Sequence, residues 1–498
     1  MAQHQIAIEQ AKENLLACAA FLAGNIKNSD GHAEAMEEII PRYLEKGEVD
    51  FAAELADTID DPFTRDKLLM RVAEKCAAMD DDEYAFQLVE AIEDSSSQAH
   101  ARGRIVFQKA IKGDFRRALE IAHELDHADN ALIDIALHQA AAGDEENAEA
   151  TIAKIDFPLA RVTALQNLAE LYLEKKNETK VIELLDKALA AAGEIEFPEG
   201  QIRALINCAN LFFDAKRKDK AIETLDRAKT LAENLDSVLR DALMAEIALG
   251  FLQAGSLDLA DRALDLVSDK TQIASCLVGF ASEFHSADNV PEATETLEEA
   301  YAILKSQRDG EVRDSRARMA VFAAIAVEFA NVGKSERALE VAQENAGEAE
   351  RISALAQIAQ VFTSQNRIEL ARQAVSAIED DAQKISALTG VARVKKQSGE
   401  TESANAFLNE AANLIETIPQ FTLRSQTLNE LIHLFYDYGN SAKARQLAQE
   451  NLRTISQIRN SGSRAAALAR LADFYERSEL VLNESEREIL ETIMRRTD

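Results

Sequence analysis

Small and apolar residues recur along this chain at fixed distances from a series of turn-forming positions. Gly47, Asp80, Gly113, Gly143, Asn177, Lys216, Gly255, Asp288, Gly333, Asn366, Gly399 and Gly439 make up the series. Five residues after each stands an alanine, from Ala52 and Ala85 through to Ala404 and Ala444, except that Asn177 is followed by Ile182. The mean interval is about 36 residues, a period that marks repeat architectures. Upstream, a small residue stands seven or eight positions earlier and an aromatic or apolar one four earlier. Ala326 and Phe329 precede Gly333 in this way, Ala359 and Phe362 precede Asn366, and Ala169 and Leu173 precede Asn177. Downstream the stripe continues through Ala221, Leu225 and Ala228, and through Ala293, Leu297 and Ala300. These spacings put one apolar stripe on each of two helices joined by a tight turn. A single hairpin of this kind leaves a face uncovered, so the pattern predicts hairpins stacked into a quasi-linear solenoid.

Proline supports the same punctuation, because a helix interior tolerates it poorly. Pro62, Pro158, Pro198 and Pro419 fall near the expected starts of first helices, and Pro291 suits the first turn of a second helix. Pro41 falls inside the first helix expected before Gly47, which predicts a kink or a late start there.

The line of small and aromatic positions resembles the tetratricopeptide repeat (TPR) family. Leu168, Ala169 and Tyr172, and Ile325, Ala326 and Phe329, match the family's first helix; Ala404, Leu408 and Ala411 match its second. The resemblance spans roughly residues 33–478, although the chain has no tryptophan and lacks the family's proline in most repeats. It implies an all-α, right-handed α-solenoid of about twelve TPR-like helix-turn-helix repeats with terminal capping helices. The expected organisation is a cap at 1–30, a first lobe at 31–305, a charged loop or hinge at 306–316, a second lobe at 317–478 and a capping helix at 479–498. In TPR proteins the first helices line a concave groove. Transferring those positions gives Asn167, Glu170, Arg203, Asn207, Asn210 and Asp214 in the middle repeats, and Gln357, Gln360, Arg393, Lys396, Asn429 and His433 further on. The family's basic clamp for a C-terminal carboxylate is incomplete. Asn210 stands at one clamp position, but Ile206 and Glu246 stand where a lysine and an asparagine belong.

Charge narrows the partner. With 55 Lys and Arg against 87 Asp and Glu, the formal net charge is −32, so the summed field disfavours nucleic acid and anionic membranes and suits a basic protein segment. Leu15 to Gly24 resembles a signal-peptide core, yet Glu9, Lys12 and Glu13 stand just before it, where the apolar segment would have to extend, and no cluster of positive charge precedes it, so the expected location is cytoplasmic. Cys18, Cys76, Cys208 and Cys276 lack the density and spacing of a disulfide framework and read as packed thiols.

One enzymatic motif stands out. His123-Glu124-Leu125-Asp126-His127 matches the HExxH of zinc proteases, whose histidines share one helical face, and Glu90 or Asp94 could add a ligand from the preceding repeat. The stripe of Ala118, Ala122 and Leu125 would leave both histidines on an outer face without a cleft, so a zinc hydrolase is a remote alternative. A basic residue also recurs fifteen positions before the turn, at Arg65, Arg240, Arg318, Arg351, Lys384 and Arg424, with Arg161 and Arg203 slightly out of register. Nearby acids predict inter-repeat ion pairs in preference to a ligand ladder. The sequence thus predicts a non-enzymatic scaffold without cofactor or metal that binds a protein or peptide segment. The alternative is a sensor whose superhelix changes shape on binding a ligand.

Overall fold

The computed structural model describes residues 6–308, 312–344 and 347–496. Among these residues there are 28 α-helices and no strand. They form TPR-like helical hairpins. First helices are mostly 17 residues long, as in Pro62–Ala78, Pro158–Glu174 and Ser461–Arg477. Second helices run from 8 residues, Glu145–Ile152, to 17, Val290–Ser306. The uneven repeat length therefore resides largely in the second helices and the loops after them.

The turn inside each hairpin is built the same way throughout. Among the described residues thirteen have positive φ, and eleven of these are the glycines, aspartates, asparagine and lysine of the sequence series. At each of these the following N–H closes back on the carbonyl five residues before it, as from Lys334 to Phe329 at 2.8 Å and from Asn440 to Phe435 at 2.7 Å. This is the Schellman termination, in which one left-handed residue satisfies carbonyls that the helix end leaves open. The same following residue then starts the next helix: Asp81, Asp114, Asp144 and Asn440 each accept the N–H three residues on.

Two turns correct the sequence reading. The left-handed residue of the fifth repeat is Lys176, at φ 56°, and not Asn177, which is the N-cap of Glu178–Ala192. The register moves by one, so fully buried Val181 takes the alanine position instead of Ile182, and buried Tyr172 takes the aromatic one instead of Leu173. A thirteenth turn at Glu479 follows Ser461–Arg477. The alanines five residues past the turns are all buried, and Phe212, Phe251, Phe329, Phe362 and Phe435, four residues before their turns, are fully enclosed. Each such ring contributes about 1.5–3 kcal/mol of burial. Pro41 lies within Ser29–Glu45, which begins at Ser29 and continues past it, so the helix does not start late.

The described residues divide into two compact units, those within 6–108 together with 375–496, and those within Lys109–Ala374. Within the first, Ser461–Arg477 packs on Ser29–Glu45. Arg42 donates two bonds of 2.7 Å to Asp473 across this contact, and Arg470 meets Glu38 at 3.1 Å. Leu15–Ala23 lies against both helices and occupies the place of a second helix for the last hairpin. Glu484–Met494, the next helix in sequence, packs instead on Ile8–Glu13, Leu15–Ala23 and Ser441–Ile455. The thirteenth hairpin is thus completed by a helix from the other end of the chain. This accounts for the signal-like run, since Leu15, Leu16, Cys18, Ala19, Ala20, Leu22 and Ala23 are all buried and a helix enclosed on all sides is apolar all round. No helix among the described residues is long and apolar enough to cross a membrane. Of the expected hinge at 306–316, residues 309–311 lie outside the described residues.

Candidate peptide-binding face

Within the unit Lys109–Ala374, first helices pack directly on one another, Asp129–Ala141 on Pro158–Glu174, that helix on Pro198–Asp214, and that on Arg240–Gln253. Pro158 and Pro198 open their helices at the first turn, where the missing N–H costs nothing. Val162, Leu165, Leu168, Ala169 and Tyr172 turn one side of Pro158–Glu174 into the core, and Ile202, Leu205, Cys208, Ala209 and Phe212 do the same for Pro198–Asp214. The buried Gln166 amide fixes their register, donating to the Ala204 carbonyl at 2.9 Å and to Cys208 Sγ at 3.2 Å. A buried amide with satisfied partners specifies one alignment of two apolar surfaces. Burial pushes the Cys208 thiol up to about 11, partly offset by the Gln166 bond, which leaves it an inert packed group. Burial likewise raises Cys18 and Cys276 to about 12.

The opposite side of these helices carries the six middle-repeat candidates. Asn167 is half-buried; Glu170, Arg203, Asn207, Asn210 and Asp214 are exposed. Arg203 lies 3.7 Å from Glu246 on the next first helix. Asn167, Glu170, Asn207, Asn210 and Asp214 have no side-chain hydrogen bond or ion pair among the described residues. They stand as three amides and two carboxylates on two adjoining rigid helices, open to a ligand. Ile206 is buried and Glu246 faces Arg203, so neither supplies the missing part of a carboxylate clamp.

The remaining six candidates are placed differently. Gln357 and Gln360 belong to Glu348–Ser364 of the same unit, and Gln357 donates to Ser353 Oγ at 3.1 Å. Arg393, Lys396, Asn429 and His433 belong to the other unit. Arg393 is already paired with Glu430 at 2.6 Å, and Lys396 bonds Thr401 Oγ1 at 3.1 Å beside the Tyr438 ring. Asn429 is half-buried with its Oδ1 enclosed and unbonded. His433 sits edge-on to Phe474, centroids 6.3 Å apart, and burial pulls its pKa below the usual histidine value.

The basic series is structural. With the turn at Lys176, Arg161 falls into register, and the turn at Glu479 adds Arg464, which the sequence pattern misses. Arg161 donates to the Ile155 carbonyl, Arg424 and Arg464 to the equivalent Ile418 and Ile458, Arg240 to Leu266 and Arg318 to Leu304. Of the ion pairs, the expected link between repeats is made by Arg203 with Glu246 on the next first helix; Arg65 with Glu93 and Arg161 with Glu194 reach the loop after their own hairpin, and Arg240 with Asp241 and Lys384 with Asp381 are neighbours on one helix. The commoner role is thus to bond loop carbonyls that the helix ends leave without a donor.

The HExxH reading is corrected by the end of the helix. Phe115–Ala122 stops before the motif, with His123 as its C-cap, so the two histidines lie on an exposed turn and share no helical face. Asp94 caps Ser95–Ile111 by accepting the Ser97 N–H at 2.7 Å. No group of three or more His, Cys, Asp or Glu among the described residues is placed to hold a metal ion.

No protein-family model and no curated protein matches the chain. Solved structures with some likeness include apo RapI (14% identity, 74% of this chain and 98% of that one, TM-score 0.30). They also include the apo quorum sensor NprR from B. thuringiensis (14%, 73% and 100%, TM-score 0.27) and Ton1535 from Thermococcus onnurineus NA1 (16%, 72% and 98%, TM-score 0.26). The assignment of TPR-like hairpins rests on the turn and helix geometry described above.

Proposed function

We propose that the chain is a non-enzymatic interaction scaffold that holds an extended, basic peptide segment against the first helices Pro158–Glu174 and Pro198–Asp214. The observation that carries this reading is the set of unpartnered side chains Asn167, Glu170, Asn207, Asn210 and Asp214 on helices locked in register by Gln166. An asparagine amide offers a donor and an acceptor together, matching the N–H and C=O of an extended backbone. Glu170 and Asp214 then favour lysine or arginine side chains on the same segment. The C-terminal candidates are largely engaged within the fold, and they frame the scaffold without forming the face. Selection from a random-peptide display library, with depletion on the Asn207→Ala/Asn210→Ala variant, tests the reading. Enrichment of basic peptides specific to the unaltered chain supports it; peptides retained equally by both exclude this face.

A further inference from the structure

A cleft lies in the unit that contains the chain ends, where Ile8–Glu13 and Leu15–Ala23 meet the turn of the first hairpin. It has a volume of about 700 Å³, within the range of small-ligand sites. Its wall is the edge-to-face pair Tyr43 and Phe51, ring centroids 4.7 Å apart at 85°. Glu13, Glu48, Asp50 and Glu54 supply carboxylates around it. The lysine in the lining, Lys46, is 2.5 Å from Glu476, and Glu13 meets Arg487 at 2.8 Å. Neither Glu48 nor Asp50 has a cationic partner among the described residues.

Tyr43 supplies an independent sign of a ligand. The residue is only 6% exposed, yet its hydroxyl makes no hydrogen bond among the described residues, and the side chain lines the cleft. At the equivalent place in the last hairpin, four residues before the turn, the Tyr475 hydroxyl donates to Glu486 at 3.0 Å. The Tyr43 phenol instead opens its hydroxyl to the cleft without a partner among the described residues. Burial, with Glu48 and Glu476 adding to it, raises the phenol so that it stays neutral and can accept a hydrogen bond from a cation.

We infer that this cleft binds an alkylammonium group, seated against the Tyr43 and Phe51 rings and neutralised by Glu48 and Asp50. Aromatic rings attract such cations, and the exposed carboxylates of Glu48 and Asp50 at the rim complete the charge. The group could belong to a lysine side chain of a partner or to a free polyamine, which offer the same chemistry.

Calorimetric titration of the full chain in 150 mM salt, about the physiological ionic strength, with spermidine and separately with a blocked lysine peptide tests the inference. Saturable binding of one equivalent of either probe is expected, weakened at least about tenfold in Glu48→Gln/Asp50→Asn and about threefold in Tyr43→Phe. The probe that binds identifies the source of the ammonium. Circular dichroism unchanged in both variants separates loss of the site from loss of the fold, and Glu83→Gln/Glu124→Gln, on exposed acids elsewhere, serves as the charge-matched control. No saturable binding by either probe, or binding of many equivalents weakened equally by the control, would overturn the inference.

Discussion

Gly462 is pressed against Gly31 so closely that a Cβ on Gly462 would stand 2.3 Å from the Gly31 carbonyl oxygen and 2.7 Å from its Cα. Backbone meets backbone here, so nothing flexible can move aside. The Gly462→Ala variant is expected to separate Ser461–Arg477 from Ser29–Glu45 and to cost about 1–3 kcal/mol at this contact. Hydrogen exchange in Leu15–Ala23 and Ser461–Arg477 should quicken while exchange in Pro198–Asp214 stays unchanged. Equal protection in variant and parent would show that the two helices do not depend on this approach.

The turns allow a test of backbone conformation alone. Gly333 has φ 82°, and a Cβ added there would meet nothing within 4 Å. Gly333→Ala should therefore lose about 1 kcal/mol from left-handed strain without any clash. Lys176 holds the same conformation at φ 56°, and Lys176→Gly should gain a few tenths to about 1 kcal/mol. Denaturant unfolding measures both. Matching signs for the two changes would contradict a shared turn.

Much of the fold can be read from the sequence because the left-handed turn and the close helix contact each demand a particular residue type. Glycine at seven of the thirteen turns and alanine five residues later leave a visible period. Lys176 and Glu479 are harder to place, since neither is a residue that the left-handed conformation favours, and the adjacent Asn177 draws the register one residue on. The pairing of Leu15–Ala23 with Ser461–Arg477 leaves no local signal, because a helix buried against distant partners shows only a uniformly apolar face. For the candidate face, the family pattern indicates outward positions on first helices. It does not indicate that Arg393 is occupied by Glu430 while Asn207 and Asn210 stay unpaired, which depends on what the neighbouring helix presents.

His433 gives the unit with the chain ends a pH dependence of definite sign. Its folded pKa lies below the unfolded value of about 6.5, so the unfolded chain binds the proton more readily. The neutral ring contributes its full stability above the unfolded pKa, and that contribution is lost as pH falls through the folded one. Unfolding midpoints compared between about pH 7.5 and about pH 5 should fall less in His433→Gln than in the parent chain. A steeper fall in the variant would contradict burial of the neutral ring.

Peptide affinity at the face of Pro158–Glu174 and Pro198–Asp214 tests the account most directly. For a basic peptide obtained by selection, fluorescence anisotropy should show at least about a tenfold loss of affinity in Asn207→Ala/Asn210→Ala, from two hydrogen-bonding amides removed together. Arg393→Ala, whose side chain is spent on Glu430, should leave affinity within about twofold. Full affinity in the asparagine variant, with loss in Arg393→Ala, would contradict the account.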